Sequence, residues 1–298
     1  MIRFKKYSRK NIKDRYDVII IGSGISGLCS GALLSQQGKK VLILEKHFKI
    51  GGFTHTFSRQ NYEWDVGLHY IGSVHRKKSF ARRLFDKISD NNLKWNKMSD
   101  NYDRIIFPDK SYDLIAPKEK FISTMCAYFP EDKDAIVKYV NLVTDVNKTM
   151  VRYFITKSLS GMSELLLYNF LTKKFFKYSD LTTYQGLSKI TQNQKLIGVL
   201  TGQWGDFGLP PKRSSFLMHC AIAGHYFDGA NYPVGGSRSI SESIAPQILN
   251  NGGDIFMMAP VSKVLINNEK CCGVVMDNGD TIQSDSVISS AGVNNSLK

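Results

Sequence analysis

Two short apolar runs near the start of the chain enclose a helical pattern. Residues 17–21 (DVIII), apart from Asp17, and residues 41–44 (VLIL) are apolar without alternation and rich in β-branched side chains, which is typical of parallel strands buried on both faces. Between them, apolar residues recur at helical spacing at positions 28, 32 and 33, and Gly38 follows as a candidate helix C-cap. The pattern therefore predicts a strand, a helix and a second strand.

The next segment alternates instead. Phe53, His55 and Phe57, followed by Tyr62 and Trp64, predict a β-hairpin that turns near residues 59–61 and ends in Asp-Val-Gly. A classical NAD-dependent dehydrogenase would continue here with another crossover helix. The hairpin therefore argues against that class.

The rest of the chain has weaker patterns. We expect short strands at 104–107 and 112–115, and helices from 117 to about 177, of which 132–147 has the clearest apolar spacing. Near the end, turns at Asn267-Asn268 and Asn278-Gly279 predict a small β-meander with strands at 255–258, 261–266 and 272–276, before a further buried strand in the run DSVISSAG. The sequence contains no uninterrupted run of 18 apolar residues, which argues against a simple membrane-spanning helix.

The clearest candidate ligand-binding residues lie in the turn after the first strand. Gly22, Gly24 and Gly27 form GxGxxG, in which glycines permit a tight turn, close approach of a diphosphate and close packing of helix on strand. Glu45 ends the second strand, 21 residues after Gly24, where a carboxylate can accept both ribose hydroxyls and disfavours a 2′-phosphate. An isolated GxGxxG is equally compatible with an empty turn, but the order strand, helix, strand and acid favours a dinucleotide site.

The doublet Gly51-Gly52 resembles the second fingerprint of the FAD-dependent amine oxidase and phytoene desaturase superfamily, with an ordinary glycine turn as the alternative. A closer resemblance is to retinol saturases (retinol 13,14-reductases). It is carried by GGFTHTF, by WDVGLHYIG, and by the block GDFGLPPKRSSFLMHCAIAGHYFDGANYPVGGS. Carotenoid isomerases and desaturases share the YPxGG turn and are the second choice.

The resemblance implies an α/β fold, with a Rossmann-like FAD-binding domain of the amine oxidase and phytoene desaturase type and an inserted α+β substrate domain. We expect a basic leader at 1–15, the two parts of the FAD-binding domain at 16–75 and 230–298, and the substrate domain at 76–229. The candidate cofactor contacts are Gly22, Ser23, Gly24, Ile25, Ser26, Gly27, Glu45, Lys46, Gly51, Gly52, Phe53, Thr54, Gly67, Leu68 and His69, to which the resemblance adds Val261 beside the adenine and Ala291 and Gly292 beside the diphosphate.

The resemblance also implies the reaction. A flavin would exchange a hydride with one carbon–carbon double bond of a lipophilic polyene or isoprenoid, with NAD(P)H as a candidate external reductant. His69 and Tyr70 are the candidate proton sources, ahead of His219 and His225. A histidine in an apolar run such as SFLMHCAIAGHYF is more often a core residue with a satisfied hydrogen bond.

Composition bears on partners. The chain has 40 Lys and Arg against 26 Asp and Glu, a formal charge of +14, which suits an anionic surface. No nucleic-acid motif accompanies the charge, so we expect no nucleic acid. The basic, aromatic stretch at 150–178 is compatible either with a lipid headgroup layer or with a core-facing stripe. We therefore expect a cytoplasmic protein that can act at a membrane surface.

Five scattered cysteines without CxxC spacing indicate reduced thiols and no metal site. Residues 1–15 are basic but lack the long apolar run of a signal peptide. Full members of the resembled family continue beyond the point that corresponds to Lys298, which implies a truncated or split chain. A non-catalytic protein that binds a partner chain or a lipid is accordingly the alternative from another functional class.

Overall fold

The computed structural model describes residues 4–13, 15–157, 159 and 161–297, without the side chains of 162–166. Residues 1–3 and 14 of the expected leader, and the side chains of Leu165 and Leu166 from the basic aromatic stretch, lie outside this description. Among the described residues, no helix combines the length and the apolar character needed to cross a bilayer.

The strands follow one another along the whole chain. They are β1 (Lys5–Lys6), β2 (Arg15–Ile21), β3 (Val41–Leu44), β4 (Thr56–Arg59), β5 (Tyr62–Asp65), β6 (Ile71–Gly72), β7 (Trp95–Lys97), β8 (Asn101–Ile106), β9 (Ser111–Ile115), β10 (Ala230–Pro233), β11 (Asp254–Met257), β12 (Val261–Asn267), β13 (Lys270–Met276) and β14 (Thr281–Ser289).

The α-helices are concentrated in the middle of the chain. They are α1 (Ile25–Gln36), α2 (Phe80–Ile88), α3 (Lys118–Tyr128), α4 (Lys133–Thr156), α5 (Met162–Ser179), α6 (Thr183–Ser188), α7 (Gln194–Leu200), α8 (Phe216–Tyr226), α9 (Arg238–Leu249) and α10 (Val293–Ser296).

The chain divides into two compact units. Unit 1 comprises Met1–Tyr70, Val74–Asn96 and Tyr232–Lys298, and unit 2 comprises Ile71–Ser73 and Lys97–Asn231. Helix α2 thus belongs to unit 1, although we expected its residues in the inserted domain.

Unit 1 is built on a seven-stranded sheet of order β1-β11-β3-β2-β14-β13-β12. The first five strands are parallel, and β14-β13-β12 form an antiparallel meander. Strands β4 and β5 form the hairpin predicted from the alternating residues, with Phe57 opposite Trp64. The basic N-terminal segment contributes β1 to one edge of the sheet.

Both faces of the central strands are covered, as the continuous apolar runs predict. Ile20 and Ile43 face α1, where a Cβ on Gly31 would lie 3.1 Å from Cδ1 of Ile43 and 3.0 Å from Cδ1 of Ile248 in α9. Ile19 points the other way, into a buried cluster with Phe256 and the meander. Alternation of side chains along a strand produces this division.

Two predictions about the last strands are wrong. The strand expected at 255–258 is not part of the meander, since β11 pairs in parallel with β3. The meander instead uses β14, which also pairs with β2 through residues 283–289. The run DSVISSAG is a strand in its first half but is not buried, because its polar side chains Asp285, Ser286 and Ser289 are exposed. Pairing with β2, rather than burial, holds it in the sheet.

Unit 2 is mainly helical. Helices α4 and α8 approach closely at Gly224, where a Cβ would lie 1.9 Å from Nδ2 of Asn147, and that amide donates to the Cys220 carbonyl at 3.0 Å. Strands β8 and β9 form an antiparallel hairpin. The helices expected between 117 and 177 are present, and α4 extends beyond the predicted 132–147.

Candidate functional site

The first turn of α1 is open to a ligand. Strand β2 ends at Ile21, Gly22 adopts φ +95°, and Gly24 occupies the N-cap position without a side-chain cap. The first amides of a helix have no partner within the helix and carry its partial positive charge. This end of α1 is therefore suited to an anionic group such as a diphosphate.

The three glycines of the loop have different roles. A Cβ on Gly27 would lie 2.2 Å from the Gly22 carbonyl oxygen, so the helix can pack on the loop only without a side chain there. A Cβ on Gly24 would meet only Oγ of Ser290, at 3.9 Å. Gly24 thus leaves space on its outer side, where a diphosphate could approach the backbone.

Glu45 faces this loop. Its Oε2 accepts hydrogen bonds from the Ser23 amide at 2.7 Å and the Ser23 hydroxyl at 2.5 Å, and Oε1 accepts from the His47 amide at 2.8 Å. Three of the about four lone-pair sites of an ionised carboxylate are thus occupied, and the remaining capacity is on Oε1. The acid is therefore held at the glycine turn, where Oε1 can receive a ribose hydroxyl.

The second glycine pair packs on the first loop. The Gly51 amide donates to the Ser23 carbonyl at 3.1 Å, and Gly51 forms a parallel bridge with Gly24. A Cβ on Gly52 would lie 3.0 Å from the Gly24 Cα. Gly51 and Gly52 have φ +109° and +57°, conformations that glycine adopts without strain. The two sequence motifs thus form one backbone surface.

A groove of about 450 Å³ opens beside α1. Its lining residues are Ser26, Ser289, Ser290, Gly292, Val293, Ser296 and Leu297. The Ser290 amide donates to the Ile21 carbonyl at 2.8 Å, which holds the end of β14 next to the glycine loop. The sequence prediction included Gly292 and the neighbouring Ala291 but missed Ser290, which only the resemblance to a cofactor-contacting segment could have indicated.

The predicted contacts after Gly52 lie at the hairpin. Phe53 is 78% exposed, whereas Thr54 is buried and donates through Oγ1 to the Gly51 carbonyl at 2.9 Å. The Gly67 amide donates to the Phe53 carbonyl at 3.1 Å, and a Cβ on Gly67 would lie 2.9 Å from the Phe53 ring. After the hairpin, the chain therefore passes directly over Phe53 at Gly67.

The remaining predicted site residues of unit 1 are partly or fully at the surface. His69 is exposed, Leu68 and Tyr70 are half-buried, and the rings of His69 and Tyr70 are 6.4 Å apart. Lys46 is exposed, and Val261 is the first residue of β12. Sequence reasoning also missed Asp65, whose carboxylate contacts Tyr232 and Ser237 of the YPVGGS motif.

Of the two weaker proton-source candidates, both in unit 2, His219 is a core residue and His225 is half-buried. His219 is buried with its Nε2 3.0 Å from the Tyr139 hydroxyl, and burial lowers the pKa of His219 to about 4. The Gly72 amide donates to Nε2 of His225 at 2.7 Å, and burial lowers the pKa of His225. Both imidazoles have hydrogen-bond partners, as expected of structural histidines.

Comparison with known proteins places this geometry in context. A family model described as an NAD(P)-binding Rossmann-like domain matches residues 20–88. An all-trans-retinol 13,14-reductase from Danio rerio is 33% identical over 96% of this chain, and an inactive all-trans-retinol 13,14-reductase from the same fish is 30% identical over 97%. A chloroplastic prolycopene isomerase from an Oncidium hybrid cultivar is 26% identical over 93%.

The chain spans about half the length of these relatives, 49%, 49% and 48% respectively. Solved structures show the same fold at lower identity. A redesigned putrescine oxidase has a TM-score of 0.61 at 16% identity, covering 92% of this chain and 57% of its own, and cyclohexylamine oxidase from Brevibacterium oxydans has 0.59 at 18%, covering 91% and 57%. The predicted Rossmann-like α/β fold and the predicted relationship to retinol 13,14-reductases are confirmed.

Proposed function

We propose that this homologue of the retinol 13,14-reductases binds FAD and forms part of a flavin-dependent oxidoreductase that acts on a carbon–carbon double bond of a lipophilic polyene. The observation that carries the proposal is the assembly of the uncapped α1 N-terminus, Glu45 and the Gly51-Gly52 doublet around one loop. These groups match the diphosphate and ribose of a dinucleotide.

The residues present fit an adenine dinucleotide such as FAD. The amides at the start of α1 would hold the diphosphate, Glu45 would hold the adenosine ribose, and Gly24 leaves the backbone bare where the cofactor would pass. Ser290 and Gly292 line the groove on the other side. Lys46, Val261 and Ala291 remain proposed contacts on the strength of the resemblance.

Bound FAD would supply hydride exchange with the double bond. The protein's own contribution begins with electrostatics: the α1 N-terminus stabilises the diphosphate charge, and Glu45 orients the adenosine end. Gly67 and Leu68 would position the flavin ring system beside the hairpin. His69, through a ring nitrogen, or Tyr70, through its hydroxyl, would hold the proton that a reduced carbon takes up.

Absorption spectroscopy of the purified chain tests cofactor binding. We expect visible flavin bands after purification or after addition of FAD and removal of the excess by gel filtration. NAD⁺ and NADP⁺, added as competitors, should not displace the flavin. A chain that stays colourless with excess FAD contradicts the proposal.

The substrate class rests on the relatives, which are named for retinol reduction and prolycopene isomerisation. Incubation of the flavin-loaded chain with a retinoid and with a carotenoid, each with NADPH or with dithionite as reductant, separates saturation from isomerisation by product mass. Since one relative is named inactive, a flavin-bound chain that converts neither polyene would support the non-catalytic alternative.

We also propose contact with a membrane surface, through the exposed apolar residues of α4 and α5. Phe170 is 82% exposed, and Val151 and Phe154 are each 61% exposed. Lys173, Lys174 and Lys177 are exposed on the same helix as Phe170. Exposed aromatic side chains among lysines are typical of helices that lie in an anionic headgroup layer.

Vesicle co-sedimentation tests this contact. We expect the chain to sediment with vesicles that contain phosphatidylserine and much less with pure phosphatidylcholine. Phe170→Ser should weaken sedimentation, and Phe80→Ser, at an equally exposed phenylalanine on α2 in unit 1, is the matched control. Equal loss in both variants would argue against a specific role for α5.

A further inference from the structure

The carboxylate of Asp65 joins two segments of unit 1 that are distant in sequence. Its Oδ2 accepts a short hydrogen bond from the Tyr232 hydroxyl. Its Oδ1 accepts from Oγ of Ser237 at 2.6 Å and from the Ser237 amide at 3.4 Å. Hydrogen bonds to an ionised acceptor are stronger than neutral ones, so three of them on one carboxylate make a firm connection.

Ser237 donates both its hydroxyl and its amide to Asp65. It occupies the N-cap position of α9, yet its side chain does not cap the helix, and the residue is fully buried. The Asp65 carboxylate accepts from the Ser237 hydroxyl and amide, so a negative charge lies at the positive end of α9. The start of α9 is therefore organised around a residue of the hairpin.

Helix α9 in turn contacts the second glycine pair and α1. A Cβ on Gly51 would lie 3.1 Å from Oγ of Ser241, and the Gln36 side-chain amide donates to that of Gln247 at 3.3 Å. The connection from Asp65 through Ser237 and α9 therefore reaches the Gly51-Gly52 doublet and the end of α1.

The segment directly after Asp65 carries candidate site residues. The Val66 amide donates to the His55 carbonyl at 3.2 Å, and Gly67 is held to Phe53 as described above. His69 is exposed and Tyr70 is half-buried. A segment at the surface depends on its attachment points for a defined position.

We propose that Asp65 is a positioning residue, which through Tyr232 and Ser237 fixes residues 66–70 at the place where they meet the flavin. The flavin part of this proposal rests on the proposed function, whereas the fixing of residues 66–70 does not. Burial, and then the hydrogen bond to Asp65, raise the pKa of Tyr232 to about 12, so its hydroxyl is a donor at neutral pH.

Hydrogen–deuterium exchange of the chain without FAD tests the positioning. In Asp65→Asn and in Tyr232→Phe, we expect the amides of residues 66–70 to exchange at least about tenfold faster, as for loss of a charge-assisted hydrogen bond. Glu63→Gln is the matched control, because Glu63 lies on the same strand and pairs with Arg238 at the start of the same helix at 2.9 Å. That exposed ion pair should matter little, with a change of less than about twofold.

FAD titration then tests the consequence for the cofactor. We expect FAD affinity to fall about tenfold in Asp65→Asn, and the visible circular dichroism of the bound flavin to change in Tyr232→Phe. The two substitutions should be non-additive when combined, because each removes the same contact.

The outcomes separate the two proposals. A wild-type chain that binds no FAD overturns the proposed function, while the exchange experiment still decides the positioning of residues 66–70. Unchanged exchange in both variants overturns the positioning itself. Faster exchange with unchanged FAD affinity and unchanged flavin circular dichroism overturns the link between Asp65 and the flavin.

Discussion

Glu45 is the side chain on which the proposed ribose contact depends. Replacing it with alanine removes the acceptor for the Ser23 amide and for the ribose. We expect Glu45→Ala to weaken FAD binding by about 10- to 100-fold, the value of one or two hydrogen bonds to a charged group. Quenching of flavin fluorescence during titration measures the affinity.

Glu119→Gln is the control for this prediction, since Glu119 is an exposed acid on α3 in unit 2. It should bind FAD as the unmodified chain does. Equal affinity of Glu45→Ala and the unmodified chain would show that the acid does not contact the cofactor.

His219 makes the stability of the fold depend on pH. In the unfolded chain its imidazole takes up a proton below about pH 6.5, whereas in the folded protein it stays neutral down to its pKa of about 4. The unfolded state therefore binds more protons in this window. We expect His219 to cost about 3 kcal/mol of the free energy of unfolding as the pH is lowered from 6.5 to 4.

Urea unfolding at several pH values measures this effect. His219→Gln should flatten the pH dependence, because glutamine does not titrate and can still accept from the Tyr139 hydroxyl. His225, whose pKa burial also lowers, should account for part of the remainder. A variant with the same acid sensitivity as the unmodified chain would exclude His219 as its source.

The sequence could predict a site residue only where its partner is close to it along the chain. Glu45 and Ser23 are separated by 22 residues within one strand–helix–strand unit, and its known geometry places them together. Asp65 and Tyr232 are 167 residues apart, so no periodicity could pair them. The exposed position of His69 likewise depends on contacts that a local pattern does not contain.

At the scale of elements, the packing of α1 on β2 depends on Gly27. A methyl group there would lie 2.2 Å from the Gly22 carbonyl oxygen, which is backbone and cannot move aside easily. We expect Gly27→Ala to lower the free energy of unfolding by about 1–3 kcal/mol, the usual cost of overpacking. Chemical denaturation followed by circular dichroism gives the value.

Gly205→Ala is the matched substitution, since a Cβ at Gly205 would meet no atom within 4 Å. It should be neutral or slightly stabilising. If both alanine variants unfold at the same denaturant concentration, close helix–strand contact is not the role of Gly27.

Elements with a strong local pattern were predicted well. Strands β2 and β3, helix α1 and the β4–β5 hairpin follow from apolar runs, spacing and alternation. The last strands were harder, because the same apolar composition suits a parallel strand and a meander strand. Only pairing with β3 and β2, more than 200 residues earlier in the chain for each pair, distinguishes the position of β11 and β14.

At the scale of the whole molecule, the charge of +14 should govern attraction to anionic surfaces. Salt screens such attraction, with a Debye length of about 10 Å at 0.1 M and about 3 Å at 1 M. We expect co-sedimentation with phosphatidylserine vesicles to fall steeply between these concentrations. Binding that is insensitive to salt would show that apolar insertion alone holds the chain on the vesicle.

Strand β14 runs without interruption from the meander to the groove beside α1, which Ser289 lines. Its first residues pair with β13 and its later residues with β2, and Gln283 pairs with both. Because side chains alternate along a strand, one residue inserted at the Asn278-Gly279 turn would invert the face of Ser289 if the turn kept its length and the register of β14 shifted by one residue. The length of this turn therefore helps to determine which side chains of β14 line the groove. Insertions and deletions there should be tolerated less well than the exposed position of the turn suggests.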